Sequence, residues 1–270
     1  MVTELHAEVV RAPGASPSSW AFVLHGIFGG GKNWLSFVRK LALARPEWGF
    51  VLPDLRGHGR SHDGDAPHDL AHVAGDLARL EARLGFGDAR AVIGHSFGGK
   101  AALAFGRERP IEQLWILDSN PGIRREYATS ETMRVLAILE GLRGGYRTRA
   151  EFIRALEQHG LTSAIAAWLA MSLVASKSGG YELALALPVV RALLEDFFRV
   201  DVWSELERTD RITHFVVAGR SFLWSADELQ TIDALAATNP CLRVHTFPEA
   251  GHWVHVDAHD ALLAALIREL

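Results

Sequence analysis

At 270 residues the chain is long for one domain but within reach of a single α/β unit carrying an insertion, and 49% hydrophobic with 22% charged residues is the composition of a globular protein with a real core. Its 28 Lys+Arg against 32 Asp+Glu leave a formal charge of −4, which excludes a field built to hold nucleic acid, and the single cysteine, Cys241, excludes an internal disulfide and any cysteine-rich metal site. The N-terminal MVTELHAEVVRAPG has no basic start or long apolar run, and stretches such as LALALP (183–188) fall far short of the roughly 18 residues of a membrane span, so a cytoplasmic protein is expected.

In chain order, the N-terminal stretch alternates as a strand does, and GASPSS at 14–19 reads as a hairpin turn. WAFVLHG (20–26) is a short apolar run ending in glycine, and NWLSFVRKLALA (33–44) carries Trp34, Phe37, Val38 and Leu41 at helical spacing. GFVLPD (49–54) is the next strand, and DLAHVAGDLARLEARLG (69–85) the next helix, closed by Gly85. ARAVIGHS (89–96) leads into GGKAALAFGRERP (98–110), and EQLWILD (112–118) is a further strand. Strands alternating with helices predict an α/β fold whose mostly parallel sheet is covered on both faces. From Asn120 to about Asp210 the periodicity is helical, in ETMRVLAILEGL, AEFIRALEQHG, TSAIAAWLAMSLVAS and VVRALLEDFF, with no convincing strand. This predicts an inserted helical cap at 120–210 over a core formed by 1–119 and 211–270. The alternation resumes with ITHFVVAG (212–219), SADELQTIDALAA (225–237), CLRVHTF (241–247) and HDALLAALIREL (259–270).

GHSFGG at 94–99 fits G-x-S-x-G, in which glycines let a strand turn sharply into a helix and leave the serine hydroxyl exposed. A strand before it and a helix after it favour Ser96 as a nucleophile over a plain glycine-rich turn. A serine needs a base to take its proton, and its transition state needs donors already aimed at the oxyanion. HGIFGGG (25–31) follows a strand, and the backbone N–H groups of Ile27 and Phe97 are the candidate oxyanion hole. Among 13 histidines, His252 in EAGHWVH stands out, in a loop between the last strand and last helix; His255 is its competitor.

With these residues in place the chain resembles the α/β-hydrolase family. VLHGIFGG is similar to the family's oxyanion strand and loop, LPDLRGHGRS (52–61) to its turn after the next strand, GHSFGG to its nucleophile elbow, and AGHWVHVDAHDALLAAL to its histidine loop and final helix. The resemblance implies the chain order Ser, acid, His. Both Ser96, Asp118, His252 and Ser96, Asp227, His252 satisfy it.

In most of the family the acid follows the strand expected at 212–219, but here Arg220, Ser221, Phe222 and Leu223 stand there. The first acids beyond are Asp227 and Glu228, explained as the first turn of a helix with a capping box from Ser225 to Glu228. Asp118 instead ends LWILD, at the sheet edge where Ser96 emerges; its plain role is to cap the turn at Asn120-Pro121-Gly122. In small bacterial esterases and their eukaryotic relatives, which this chain resembles in HGIFG and GHWVH, the acid sits at that earlier strand, so Asp118 is preferred to Asp227.

The expected activity is hydrolysis of a carboxylic ester or thioester through an acyl-enzyme, with a small-molecule substrate and no metal or organic cofactor. Candidate substrate contacts are Phe28, Trp168, Met171, Phe197, Phe198, Trp203 and Trp224, most of which equally suit packing between cap helices. Residues 124–154 hold seven arginines (124, 125, 134, 143, 147, 149, 154) against four glutamates (126, 131, 140, 151), a hint of an acyl-CoA or of a solvated helix face. The oligomeric state is left open. Carbon–carbon bond hydrolases, cofactor-free haloperoxidases or perhydrolases, and a non-catalytic ligand-binding protein stay open on the same fold, whereas Ser96 argues against chemistry that needs an aspartate nucleophile.

Overall fold

The structure is a computed structural model that describes residues 4–61, 64–142, 144–177 and 179–270. Its strands are β1 (Ala7–Val10), β2 (Ser19–Leu24), β3 (Trp48–Pro53), β4 (Ala91–His95), β5 (Gln113–Leu117), β6 (Leu173–Ala175), β7 (Tyr181–Leu183), β8 (Ile212–Ala218) and β9 (Leu242–Phe247). Its helices are α1 (Leu35–Ala44), α2 (Leu70–Leu84), α3 (Phe97–Gly106), α4 (Glu131–Gly141), α5 (Arg149–Gln158), α6 (Ser163–Leu169), α7 (Leu187–Arg199), α8 (Ala226–Thr238), α9 (Val254–Asp257) and α10 (His259–Glu269).

Seven strands form one sheet in the order β1-β3-β2-β4-β5-β8-β9, parallel throughout except for the antiparallel edge pair β1–β3. The alternation of side chains along each strand divides the core in two. Phe22, Leu24, Val92, Leu114, Ile116 and Phe215 face the side covered by α2, α3 and α8. Ala21, Val23, Ile93, Trp115, Leu117 and Val216 face the side covered by α1 and α10. Central strands buried on both faces read as unbroken apolar runs rather than alternating ones, which is why SWAFVL and QLWIL are recognisable as strands.

Two expectations are corrected. GASPSS is not a hairpin turn: β1 pairs with β3 while β2 lies inside the sheet between β3 and β4. The fully buried β2 takes a central place, whereas β1, three of whose four residues are not buried, tolerates an edge. The segment 120–210 is not purely helical, because β6 and β7 pair as a short antiparallel hairpin, with Leu173 opposite Leu183. Strands of three residues leave too little periodicity to be read beside helices.

The segment from Glu131 to Arg199, α4 to α7 with that hairpin, buries Leu136, Phe152, Leu169 and Leu193 in the same apolar cluster as Ile27, Phe28 and Phe97. It is also pinned by Lys100 on α3, whose buried ammonium donates to the carbonyls of Gly122 (2.8 Å), Phe197 (2.7 Å) and Val200 (2.7 Å). Burial pulls the Lys100 pKa down to about 8. Among the described residues no helix is long and apolar enough to cross a membrane.

Candidate active site

Because the strands run parallel, the loops after β2, β4, β5, β8 and β9 all emerge at one edge of the sheet. The chain reverses direction across the sheet between β2 and β4, and the crevice at such a switch point is where open α/β sheets place their ligands. The oxyanion-loop candidate follows β2 and Ser96 follows β4.

Ser96 lies between β4 and α3 at φ 53, ψ −119, a conformation costing a non-glycine residue about 1–3 kcal/mol. Its surroundings hold it there: the Ser96 N–H donates to the Leu117 carbonyl (3.0 Å), and the Gly99 N–H donates to the Ser96 carbonyl (2.8 Å). The flanking glycines are required by close approach. A Cβ on Gly94 would stand 2.1 Å from the Gly98 carbonyl oxygen, and one on Gly98 2.6 Å from that of Leu24. Any side chain there pries strand and helix apart.

Asp118, at the end of β5, is completely buried. Its Oδ2 accepts from Nδ1 of His252 at 2.7 Å. Its Oδ1 accepts from the indole Nε1 of Trp224 (2.7 Å) and from the Ala218 N–H (3.2 Å). A carboxylate can only accept, so Nδ1 of His252 carries the proton and Nε2 is left with its lone pair. His252 is also placed from behind, since Nε2 of the buried His95 donates to the His252 carbonyl at 2.7 Å. Burial, and then the neighbouring rings of His252 and His255, hold the His95 pKa well below the usual imidazole range.

The competitors are placed elsewhere. Asp227 is exposed in the first turn of α8, where Ser225 and Glu228 form the expected capping box. His255 stacks on Trp34 with ring centres 4.2 Å apart, and burial lowers its pKa to about 4. The turn after β5 is capped by Asn120, whose Oδ1 accepts the Gly122 N–H at 2.9 Å, which frees Asp118 from that plain role.

The amides of Ile27 and Phe97 donate to no other described residue, and a Cβ on Gly26 would lie 3.3 Å from that of Ser96, so the two loops are in close approach. Of the expected substrate contacts, Phe197 has its ring 5.9 Å from Phe97, and Trp168 has its ring 5.6 Å from Trp253, beside His252. Met171 is 41% exposed, with its sulfur accepting from Asn33. Phe28 is instead buried in the core cluster, Phe198 stacks on Tyr127, Trp203 packs against Gly122, and Trp224 is engaged with Asp118.

Several arginines of 124–154 serve the fold itself. Arg149 donates to the Ala170 and Leu173 carbonyls, Arg134 to those of His159 and Gly160, Arg147 faces Glu151, and Arg124 reaches the Leu223 carbonyl and Glu228. Arg143 lies outside the described residues. Among the described residues no cluster of three or more His, Cys, Asp or Glu side chains is arranged to hold a metal ion.

Sequence reasoning missed His25, His58, Ser172 and Lys100. His25 Nε2 accepts the Leu55 N–H at 2.9 Å, His58 Nε2 accepts the Phe28 N–H at 3.1 Å, and Ser172 Oγ donates to the Phe28 carbonyl at 2.6 Å. Only Lys100 left a local signal, a lone cation on the otherwise apolar α3.

Comparison with known proteins identifies the family and the fold. The profile of the alpha/beta hydrolase family matches residues 21–265. The esterase YbfF of Escherichia coli (strain K12) is 28% identical over 253 residues, covering 92% of this chain and 91% of that protein. The sn-1-specific diacylglycerol lipase ABHD11 of Danio rerio is 27% identical over 270 residues, covering 94% of this chain and 79% of that protein. Among solved structures, a marine microorganism esterase superposes with a TM-score of 0.84 at 22% identity, covering 99% of each chain, a likeness of fold.

Proposed function

The chain belongs to the alpha/beta hydrolase family, and from that premise we propose that it is a serine hydrolase cleaving carboxylic esters or thioesters with Ser96, His252 and Asp118 as its triad. The observation that carries this is the 2.7 Å bond from His252 Nδ1 to a buried Asp118 carboxylate, at the sheet edge where Ser96 is held on a strained turn. Nε2 of His252 takes the Ser96 proton as Oγ attacks the carbonyl. The Ile27 and Phe97 amides receive the oxyanion, and the imidazolium, steadied by Asp118, returns its proton to the leaving alcohol or thiol. Water then enters by the same route and releases the acyl group, so the cycle calls on no metal or organic cofactor.

Similarity to an esterase and to a diacylglycerol lipase supports a small-molecule ester as substrate. The segment 120–210 acts as the cap, with Trp168, Met171 and Phe197 as its contacts to the acyl chain. The test is a serine-directed fluorophosphonate followed by peptide mapping, beside a panel of nitrophenyl esters and acyl-CoAs of rising chain length with Ser96→Ala as the blank. One label per chain on Ser96 is expected. A folded wild type that takes no label favours a ligand-binding protein.

Trp224 then acts through Asp118. A hydrogen bond to a charged group contributes about 1.5–3 kcal/mol, so Trp224→Phe is expected to lower kcat about tenfold or more. KM should change little, because the indole touches the Asp118 carboxylate and acts through it. A loss confined to KM would assign Trp224 to substrate contact instead.

A further inference from the structure

We propose that the oxyanion loop keeps its working shape only while the cap is seated, with Ser172 and His58 as the positioning residues that hold it. This rests on the reading of Ile27 as an oxyanion donor. Phe28, the next residue, stands at φ 63 without being glycine, a conformation the loop does not hold unaided. Both of its backbone polar groups are gripped from outside the loop. Its N–H donates to Nε2 of His58 at 3.1 Å, and its carbonyl accepts from Oγ of Ser172 at 2.6 Å.

The chemistry of each grip is fixed. His58 Nδ1 donates to the Arg56 carbonyl at 2.9 Å, which makes the lone pair at Nε2 the acceptor. Ser172 is 8% exposed and stands immediately before β6. From Ser172 the bonds run back to His58 through cap backbone. The Ala184 N–H donates to the Ser172 carbonyl (2.9 Å), the Gly59 N–H to the Ala184 carbonyl (2.8 Å), and the Ala186 N–H to the Gly57 carbonyl (2.9 Å). Leu185 is bridged to His58 in the same antiparallel fashion.

Phe28, Ser172, Ala184, Gly59 and His58 thus close a ring that passes twice between core and cap. Withdrawing the hairpin removes the Ser172 grip directly and frees the 57–59 loop that carries His58. Phe28 then relaxes, and the Ile27 amide, one peptide plane upstream, loses its aim. An oxyanion donor matters most in the transition state, so the coupling acts on turnover rather than on substrate affinity.

The test compares Ser172→Ala and Ser172→Thr with wild type on a nitrophenyl ester. A trifluoromethyl ketone reports the oxyanion hole, the product carboxylate reports ground-state binding, and Tm reports stability. Ser172→Ala is expected to lower kcat about tenfold or more with KM and carboxylate affinity within about twofold. Ketone affinity should fall by the same factor as kcat/KM, and Ser172→Thr should restore both. A kcat within about twofold of wild type, an unchanged ketone affinity, or a Thr variant as impaired as Ala would each overturn the coupling. A wild type that neither hydrolyses esters nor takes the fluorophosphonate label removes the serine-hydrolase reading itself, a result distinct from any of these.

Discussion

Asp118→Asn lowers kcat by about four orders of magnitude, while Asp227→Asn leaves it within about twofold; this is the outcome expected when both are assayed on the same ester. The size follows from which way the new amide must face. Oδ1 of Asp118 receives two donors whose positions the fold fixes, the Trp224 indole at 2.7 Å and the Ala218 N–H at 3.2 Å. In asparagine the oxygen goes to those donors and the NH2 group turns to His252. Nδ1 must then accept, its proton moves to Nε2, and the ring presents a hydrogen where Ser96 requires a lone pair. Asp227 is exposed at the start of α8 with Ser225 and Glu228 forming the cap there, so its amide disturbs little beyond the helix dipole. The same reasoning makes Asp118→Asn milder beside Trp224→Phe, since one of the two donors holding the amide is gone. Equal losses at positions 118 and 227 would overturn the assignment of the acid.

Much of this site was open to reading because its parts lie at ends of strands that are themselves easy to recognise. Ser96 and Asp118 each close an apolar run buried on both faces, and Ser225 to Glu228 carries its capping box in four consecutive residues. The absence of a carboxylate directly after β8 was also legible, but not what the loop there supplies: Trp224, expected at the substrate, turns its N–H to Asp118. The contacts that sequence could not reveal join residues far apart along the chain. Ser172 meets Phe28 across 144 positions, and Lys100 meets Val200 across 100. Neither spacing nor periodicity encodes such a pair. The β1 placement failed for a related reason, since the short loop GASPSS suits a hairpin locally, and only competition for the central places in the sheet separates β1 from β2.

Histidines supply the second large effect, an acid lability that begins well above the carboxylate range. Burial pushes His58 and His214 down to about 3 and His255 to about 4, from 6.5, while His25 and His95 are lowered as well. A histidine whose folded pKa is depressed stays neutral in the native state while the unfolded chain takes up a proton. Its contribution is therefore complete above pH 6.5 and is lost as pH falls toward the folded value. At pH 5 each of the three with a stated value costs about 2 kcal/mol, together about 6 kcal/mol out of a typical stability of about 5–15 kcal/mol. Carboxylates held low by their partners, such as Glu205 beside Arg211 and Arg107, act only below their unfolded pKa near 4.5, so the window from pH 6.5 to 5 belongs to the histidines. Urea unfolding is expected to show stability nearly flat between pH 7 and 8, below the range where Lys100 titrates, and falling by at least about 4 kcal/mol per pH unit below 6. His214 stacks on Trp115 with ring centres 3.9 Å apart, on β8, two strands from the β4 that leads into Ser96. His214→Gln, which takes no proton, is expected to lower that slope by one histidine's share, about 1.4 kcal/mol per pH unit, while leaving kcat at neutral pH unchanged. A wild-type slope below about 1.4 kcal/mol per pH unit in this window would mean that these rings admit protons without unfolding, and the buried-histidine account of the acid limb would fail.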